Sequence, residues 1–334
     1  MMATVESGVG LMLLKERDPS EAFKTITKNI ENAQARDANI AKTDFEFLVC
    51  GGAPGIGKTR WGMELFRALQ ENWTPPHLWT GSSLKPYFIY LFLDFANSIK
   101  LDHFDKNLPS STILGLRIAF THFVHNKYYM TFDVFRRAAN PFLTAFGIGD
   151  VIEGIRRNLR IDDHQRLFIF LHLDEFQMIF DFEPSWAAEL GNERTGLFKI
   201  MMRDLGSLMS YPGRNFVQTF LSGTALQYVM ASKEPTLYSF KFVGCPFLSM
   251  EAVLDIVEDF CAPYDDTQQW ALCRPFLQLL EDTGGLPRAL QYVFDACFEP
   301  NGAGSFFTNI LTLDRELFRI KFNDIAKKLD SKYV

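Results

Sequence analysis

The sequence predicts an α/β fold, in which helices flank a parallel β-sheet and a smaller helical region follows. Four apolar runs, rich in phenylalanine, isoleucine and leucine, have the length and composition of buried parallel strands. Helical patterns separate these runs, and such alternation is typical of a parallel sheet. The 334 residues, 47% of them hydrophobic and 22% charged, suffice for one large domain or two smaller ones.

Local patterns place the elements in order. Residues 1–40 form an N-terminal helical segment, because Asp18-Pro19-Ser20-Glu21 has the cap, proline and acid of a helix start. Residues 41–245 form the sheet core, with a helical insert at 98–165 that is rich in aromatic residues. Two helices are predicted in the insert, LGLRIAFTHFVHNKYYM and FDVFRRAANPFLTAF. Amphipathic helices from residue 246 to 334 form a C-terminal lid. The predicted strands lie at residues 44–52, 86–97, 166–177 and 214–225.

A glycine-rich loop links the first predicted strand to a helix. Its sequence, GGAPGIGKT, fits G-x-x-x-x-G-K-[ST], in which backbone N–H groups at a helix N-terminus cradle phosphates. Lys58 would reach the β- and γ-phosphates, and the Thr59 hydroxyl would bind Mg²⁺. The alternative is a chance glycine-rich turn. The predicted nucleotide-binding residues are Gly52, Ala53, Pro54, Gly55, Ile56, Gly57, Lys58, Thr59 and Arg60.

An acidic pair ends the third predicted strand, LFIFLHLDEF. Asp174 fits the acid that holds Mg²⁺ through water, and Glu175 fits the base that polarises an attacking water. Acids often end strands, so the pair gains weight from its apolar lead-in and its distance beyond the glycine loop. A glutamate at this position favours hydrolysis over phosphoryl transfer to a metabolite.

Two further segments carry candidate catalytic residues. The fourth strand ends at Ser222 and Thr224, polar groups that could sense a γ-phosphate, although turn chemistry explains them equally well. In TGGLPRAL, Arg288 begins a helix and could aim at the phosphates, which would couple the nucleotide state to the lid. A plain helix start is the alternative there.

Taken in order, GGAPGIGKT, LHLDEFQ, FLSGTA and GGLPRAL resemble the additional-strand, catalytic-glutamate branch of P-loop ATPases, within it the STAND-like and AAA+-like domains. With ILGLRIAF, they more narrowly resemble the NTPase domain of Crinkler effectors and retrotransposon-hot-spot proteins. The resemblance covers roughly residues 40–295. It implies a parallel-sheet P-loop NTPase core with a C-terminal α-helical lid, and Mg²⁺-dependent ATP hydrolysis. The residues on matching positions are Lys58, Thr59, Asp174, Glu175 and Arg288.

Three functions remain open from the residues. The first is an ATPase that drives a conformational switch, and the second is a scaffold that binds nucleotide without hydrolysing it. The third is a P-loop kinase for a small metabolite, to which the arginine pairs of FRRAAN and IRRNLR would contribute. An ATPase would need an arginine finger from a second copy or a protein partner, with Arg194 and Arg203 as candidates only by location.

Charge and cysteine content bear on the partners and the cellular compartment of the protein. The net charge of -6 and pI near 5.6 do not indicate a protein that coats nucleic acid, which enters as a partner only through the family resemblance. Five cysteines without a C-x-x-C pair indicate neither a disulfide framework nor a zinc site. We expect a soluble protein of a reducing compartment with no membrane partner. A host nucleus would follow only for a true Crinkler-type effector, and no nuclease-like strand is seen in residues 296–334.

Overall fold

A computed structural model describes residues 15–35, 40–80, 85–125, 127–182, 196–211, 213–224, 238–261, 269–297 and 314–333. The chain forms two compact units. The first, called the sheet unit, comprises Pro19–Gly52 and Leu65–Gly244. The second, called the helical unit, comprises the described residues up to Asp18 together with Ala53–Glu64 and Cys245–Val334.

The sheet unit is built on five parallel strands in the order β2-β3-β4-β1-β5. Every residue of β3, which lies between β2 and β4, is buried, as expected for a long apolar run covered on both faces. The strands are β1 Glu46–Gly51, β2 Tyr87–Asp94, β3 Leu167–Asp174, β4 Asn215–Gly223 and β5 Ser239–Phe242.

Helices surround this sheet, and the first of them is fixed to it by a buried polar contact. The Asn29 side chain donates to the Glu46 carbonyl at 2.8 Å and to the Gln218 side chain at 2.9 Å. Helix α2 continues from the helical unit into the sheet unit. The helices are α1 Ser20–Ala35, α2 Lys58–Asn72, α3 His77–Thr80, α4 Ser110–Ala119, α5 Phe132–Ala139, α6 Ile148–Asn158 and α7 Leu197–Ser210.

The helical unit has its own apolar core. Val257, Phe276 and Phe294 are fully enclosed in it, and the rings of Phe260 and Phe294 stack with centroids 5.0 Å apart. Its helices are α8 Met250–Cys261, α9 Arg274–Asp282, α10 Pro287–Cys297 and α11 Arg315–Tyr333. The predicted fold class, an α/β parallel-sheet core with a C-terminal helical region, is therefore confirmed.

The sheet differs from its prediction in two respects. Strand β5 was not predicted, because its four residues, SFKF, are too few to give a periodic signal. Strand β2 was predicted to be buried but lies at an edge of the sheet, and most of its residues are only half-buried.

The insert also differs from its prediction. The first predicted helix ends early, because a π-turn at Phe120–Val124 closes with the His125 N–H on the Phe120 carbonyl. The second ends at Ala139, and Asn140–Phe146 follows as a 3-10 segment that is kinked at Phe142, next to Pro141, which lacks an N–H donor. Within the described residues, no helix has both the length and the apolar character needed to cross a membrane.

Candidate functional site

The glycine loop has the backbone that its sequence requires. Gly52, Gly55 and Gly57 have φ angles of 145°, 81° and 90°, which side chains other than glycine rarely adopt. Helix α2 begins directly after Gly57, at Lys58. The loop residues from Ala53 onward therefore lead into a helix N-terminus, whose backbone N–H groups and dipole favour an anion.

Lys58 is buried, and its ammonium donates to the Ala53 carbonyl at 2.9 Å. The side chain thus folds back along the loop that precedes it, so a positive charge is held beside the loop. Thr59 follows on the first turn of α2 and is half-buried. Arg60 is ion-paired with Glu64 one turn along the helix, with Nε 2.9 Å from Oε1, so the carboxylate partly neutralises the charge of the guanidinium.

The acidic end of β3 lies beside the end of β4. Asp174 pairs in register with Ser222, and the Ser222 hydroxyl donates a hydrogen bond to the Asp174 carboxylate. Both side chains are buried. Strand β1 lies on the other side of β4, where Gly51 pairs with Gly223. The carboxyl ends of these three neighbouring strands therefore carry the start of the glycine loop, a hydroxyl and an acid side by side.

The acid is the last member of a buried polar chain. Ser222 Oγ lies 2.6 Å from His172 Nε2, and the Tyr90 hydroxyl lies 2.6 Å from His172 Nδ1. Burial lowers the pKa of His172 to about 3, so its ring is neutral at pH 7. Burial, with a smaller contribution from the Asp174 charge, raises the pKa of Tyr90 far above its usual value.

Tyr90 and His172 were not predicted as site residues. The signal available was that both polar residues interrupt strands that are otherwise apolar. Their partners lie 82 and 50 positions away along the chain, and only the strand register brings them together.

Glu175 follows the acid in an uncommon conformation. Its φ of 53° is left-handed, which costs a residue with a side chain about 1 kcal/mol or more and is seen most often at functional positions. Gln177, which was not predicted, donates from its side chain to the Glu175 carboxylate. The side-chain oxygen of Gln177, Oε1, accepts from the Thr224 N–H at 3.3 Å. Thr224 itself is exposed. Gln177 therefore links the predicted base to the end of β4.

The GGLPRAL segment makes a main-chain contact with the glycine loop. Within the helical unit, the Arg288 N–H donates to the Gly55 carbonyl at 3.2 Å, and the Arg288 side chain is half-buried. The Ile56 carbonyl accepts from Cys245 Sγ at 3.3 Å and from Arg17 Nη2 at 3.3 Å. Two loop carbonyls are thus held by residues outside the loop, and Arg17 and Cys245 were not predicted.

The two glycines of this segment differ in what a side chain would meet. Gly284 and Gly285 have φ of 55° and 73°. A Cβ on Gly285 would lie 2.0 Å from the Leu248 carbonyl oxygen, whereas a Cβ on Gly284 would meet nothing within 4 Å. The Gly285 carbonyl also accepts from the Leu248 N–H at 2.9 Å, so the backbones approach closely there.

We therefore expect Gly285→Ala to destabilise the protein far more than Gly284→Ala. The matched control carries the left-handed penalty alone, about 1–2 kcal/mol. Gly285→Ala adds the displacement of Leu248, for a total of roughly 2–4 kcal/mol. Urea unfolding of both variants measures the difference, and equal losses would contradict the close approach.

The structure places the predicted site residues in two groups. In the helical unit, the glycine loop, Lys58, Thr59 and the main chain of Arg288 lie together. In the sheet unit, Asp174, Ser222, Glu175 and Thr224 lie together at the ends of β3 and β4. Arg203 is exposed on α7, and Arg194 lies outside the described residues.

Among the described residues, no group of three or more histidine, cysteine, aspartate or glutamate side chains could hold a metal ion. Thr59 in the helical unit and Asp174 in the sheet unit each offer an oxygen of the kind that Mg²⁺ binds, one or two protein oxygens being used together with phosphate oxygens and water.

Comparisons with known proteins bear on the fold. No family model and no curated protein sequence matches this sequence. The solved structure of the Aeropyrum pernix ORC2 protein is similar, with a TM-score of 0.51 and 15% identity over 95% of this chain and 71% of that one. The chain therefore shares the α/β parallel-sheet fold of that ORC2 protein.

Two further solved structures align at lower similarity. The Aeropyrum pernix ORC1 protein in complex with DNA has a TM-score of 0.45 and 15% identity over 95% of this chain and 68% of that one. C. elegans PCH-2 has a TM-score of 0.35 and 10% identity over 96% of this chain and 70% of that one. None of the three is a Crinkler protein, so that finer resemblance stays a prediction.

Proposed function

We propose that this chain binds ATP with Mg²⁺ and hydrolyses it, and that the nucleotide state drives a conformational switch. One observation carries the proposal: the carboxyl ends of β1, β4 and β3 hold Gly51, Ser222 and Asp174 in neighbouring register positions. In open parallel sheets, ligands bind at the carboxyl ends of the strands. The glycine loop continues the chain from that edge.

Each group has a role that its chemistry supports. The loop N–H groups and Lys58 bind the phosphates, and the Thr59 hydroxyl and the Asp174 carboxylate orient Mg²⁺, which neutralises phosphate charge when bound. Glu175 accepts a proton from the attacking water at its carboxylate. The products are ADP and inorganic phosphate.

The similar ORC2 structure supports nucleotide binding by this fold, since it is a structure of ADPNP–ADP complexes. The contact of Arg288 with Gly55 supports the switch, because a change in the loop backbone would be felt at the start of α10. We further propose that a second copy or a protein partner supplies an arginine finger. We also propose that the chain acts as an NTPase like those of Crinkler effectors.

The buried arginine of each pair in the insert speaks against the kinase alternative. Arg136 is buried and forms ion pairs with Asp102 at 2.7 Å and Asp133 at 2.9 Å. Arg156 is buried and donates to the carbonyls of Asp162 and Gln165. These guanidinium groups are engaged in holding the insert together, whereas an acceptor site needs charge directed at a substrate.

The test is phosphate release from ATP and from GTP with Mg²⁺, beside direct measurement of nucleotide binding, across a range of protein concentrations. We expect release that requires Mg²⁺. Specific activity that rises with protein concentration would indicate an arginine supplied by a second copy. Tight binding without release would establish the non-hydrolysing scaffold instead, and absence of binding would overturn the proposal.

A further inference from the structure

We propose that Tyr90 and His172 are positioning residues that fix the direction of the hydrogen bond from Ser222 to Asp174, and through it the orientation of the carboxylate toward Mg²⁺. This inference rests on the proposed function of Asp174 as the magnesium acid. Three adjacent strands contribute, with Tyr90 on β2, His172 on β3 and Ser222 on β4.

The chain of contacts allows one arrangement of protons. A carboxylate only accepts, so the single hydroxyl proton of Ser222 is donated to Asp174. Ser222 Oγ must then accept from His172 Nε2, 2.6 Å away, which places the ring proton on Nε2. His172 Nδ1 is left as an acceptor, and the Tyr90 hydroxyl, also at 2.6 Å, must donate to it.

The Tyr90 hydroxyl reinforces this tautomer of His172, because Nδ1 is the one acceptor for the Tyr90 proton among the hydrogen bonds of the described residues. Without it, the ring proton could move to Nδ1, and Nε2 would become an acceptor that competes with Asp174 for the Ser222 proton. The acid would then lose its buried donor part of the time. Residue 90, on the edge strand β2, thus influences which atom accepts the Ser222 proton on β4, two strands away.

The surroundings of the ring favour this single arrangement. His172 is fully buried, and its ring meets Phe92 and Phe220 edge-on at centroid distances of 5.1 and 4.9 Å. Aromatic walls offer no alternative acceptor for the ring proton. Outer hydrogen bonds that orient metal ligands typically affect metal binding even though they do not touch the metal.

The first test compares Tyr90→Phe with Tyr238→Phe, a matched control. Tyr238 lies in the sheet unit as Tyr90 does, although it is buried whereas Tyr90 is half-buried, and its hydroxyl lies 3.3 Å from Ser210 Oγ. The affinity for ADPNP, a non-hydrolysable ATP analogue, is measured by calorimetry with Mg²⁺ and with EDTA. We expect Tyr90→Phe to reduce the factor by which Mg²⁺ strengthens ADPNP binding by roughly tenfold, the low end for outer contacts. The control should keep the full gain.

A double-mutant cycle identifies the route. In a Ser222→Ala background, Tyr90→Phe should cause no further loss of the Mg²⁺ effect, because the hydroxyl through which it acts is gone. A loss that persists there would overturn the proposal, as would Tyr90→Phe behaving like Tyr238→Phe.

The second test needs neither nucleotide nor activity. In protein with ¹⁵N-labelled histidine rings, two-bond proton–nitrogen spectra report which nitrogen carries the proton, with the His172 signals identified by their loss in His172→Gln. We expect a pure Nε2–H tautomer in the wild type and a mixture in Tyr90→Phe. An Nδ1–H tautomer in the wild type would overturn the proposal. If the wild type binds no ADPNP while this spectrum shows the expected tautomer, the failure lies with the proposed function of the site.

Discussion

Glu175→Gln is expected to bind ATP with nearly unchanged affinity and to lose phosphate release by roughly 10²- to 10⁴-fold, the range that a general base contributes. Glutamine has the same shape but cannot accept a proton from water. The backbone need not change, because the left-handed φ of 53° costs the two residues about the same. Binding by calorimetry and single-turnover phosphate release separate the two effects.

Glu71→Gln is the matched control, since Glu71 lies exposed on α2 and the exchange removes the same charge. It should leave both measurements unchanged. A Glu175→Gln variant that hydrolyses ATP at the parental rate would show that another group acts as the base. Gln177, which contacts the Glu175 carboxylate, would not replace it, because an amide is not basic at pH 7.

Lys58→Ala is expected to weaken ATP binding by about 100-fold, since losing one partner of a buried, hydrogen-bonded charge pair costs about 2–5 kcal/mol. In the structure the Lys58 ammonium is already held at the loop by the Ala53 carbonyl. Little side-chain entropy would be lost on binding, so the wild-type lysine contributes most of its charge interaction to affinity. Calorimetric titration with ADPNP and Mg²⁺ measures the change.

Lys24→Ala provides the comparison, because Lys24 is an exposed lysine on α1 that pairs with Glu21 at the surface. Its removal should leave nucleotide affinity as it was. If Lys58→Ala binds ADPNP as tightly as Lys24→Ala does, the glycine loop is not the phosphate site. Unfolding curves of both variants show whether a loss of affinity is a loss of fold.

The parts of the fold that sequence predicted are those with strong local signals. Strand β3 is a long apolar run, and GGAPGIGKT has glycines at positions where the structure shows positive φ. Strand β5 escaped prediction because four residues at a sheet edge carry no such signal. Its place beside β1 depends on pairing across nearly two hundred residues, and nothing local encodes that pairing.

In the candidate site, too, the features with a local sequence signal were predicted and those that depend on strand register were not. Asp174 and Glu175 were predicted from their position after β3, because a strand end is visible in sequence. The contacts of Asp174 were not predicted, since they depend on the register of β2, β3 and β4. In GGLPRAL the arginine was predicted as the functional residue. The structure shows instead why a glycine is required at position 285, since the missing Cβ lets the Leu248 backbone approach.

The hydrogen bond between residue 288 and the Gly55 carbonyl is made by an amide, and every amino acid except proline has that donor. The bond is therefore indifferent to which side chain residue 288 carries. Exchanging the arginine for alanine, glutamine or glutamate varies charge and length while the main-chain tie to the loop stays in place. Proline at the same position removes the tie and also the charge. A mutational series at this one position can thus separate an electrostatic contribution to the chemistry from a mechanical one.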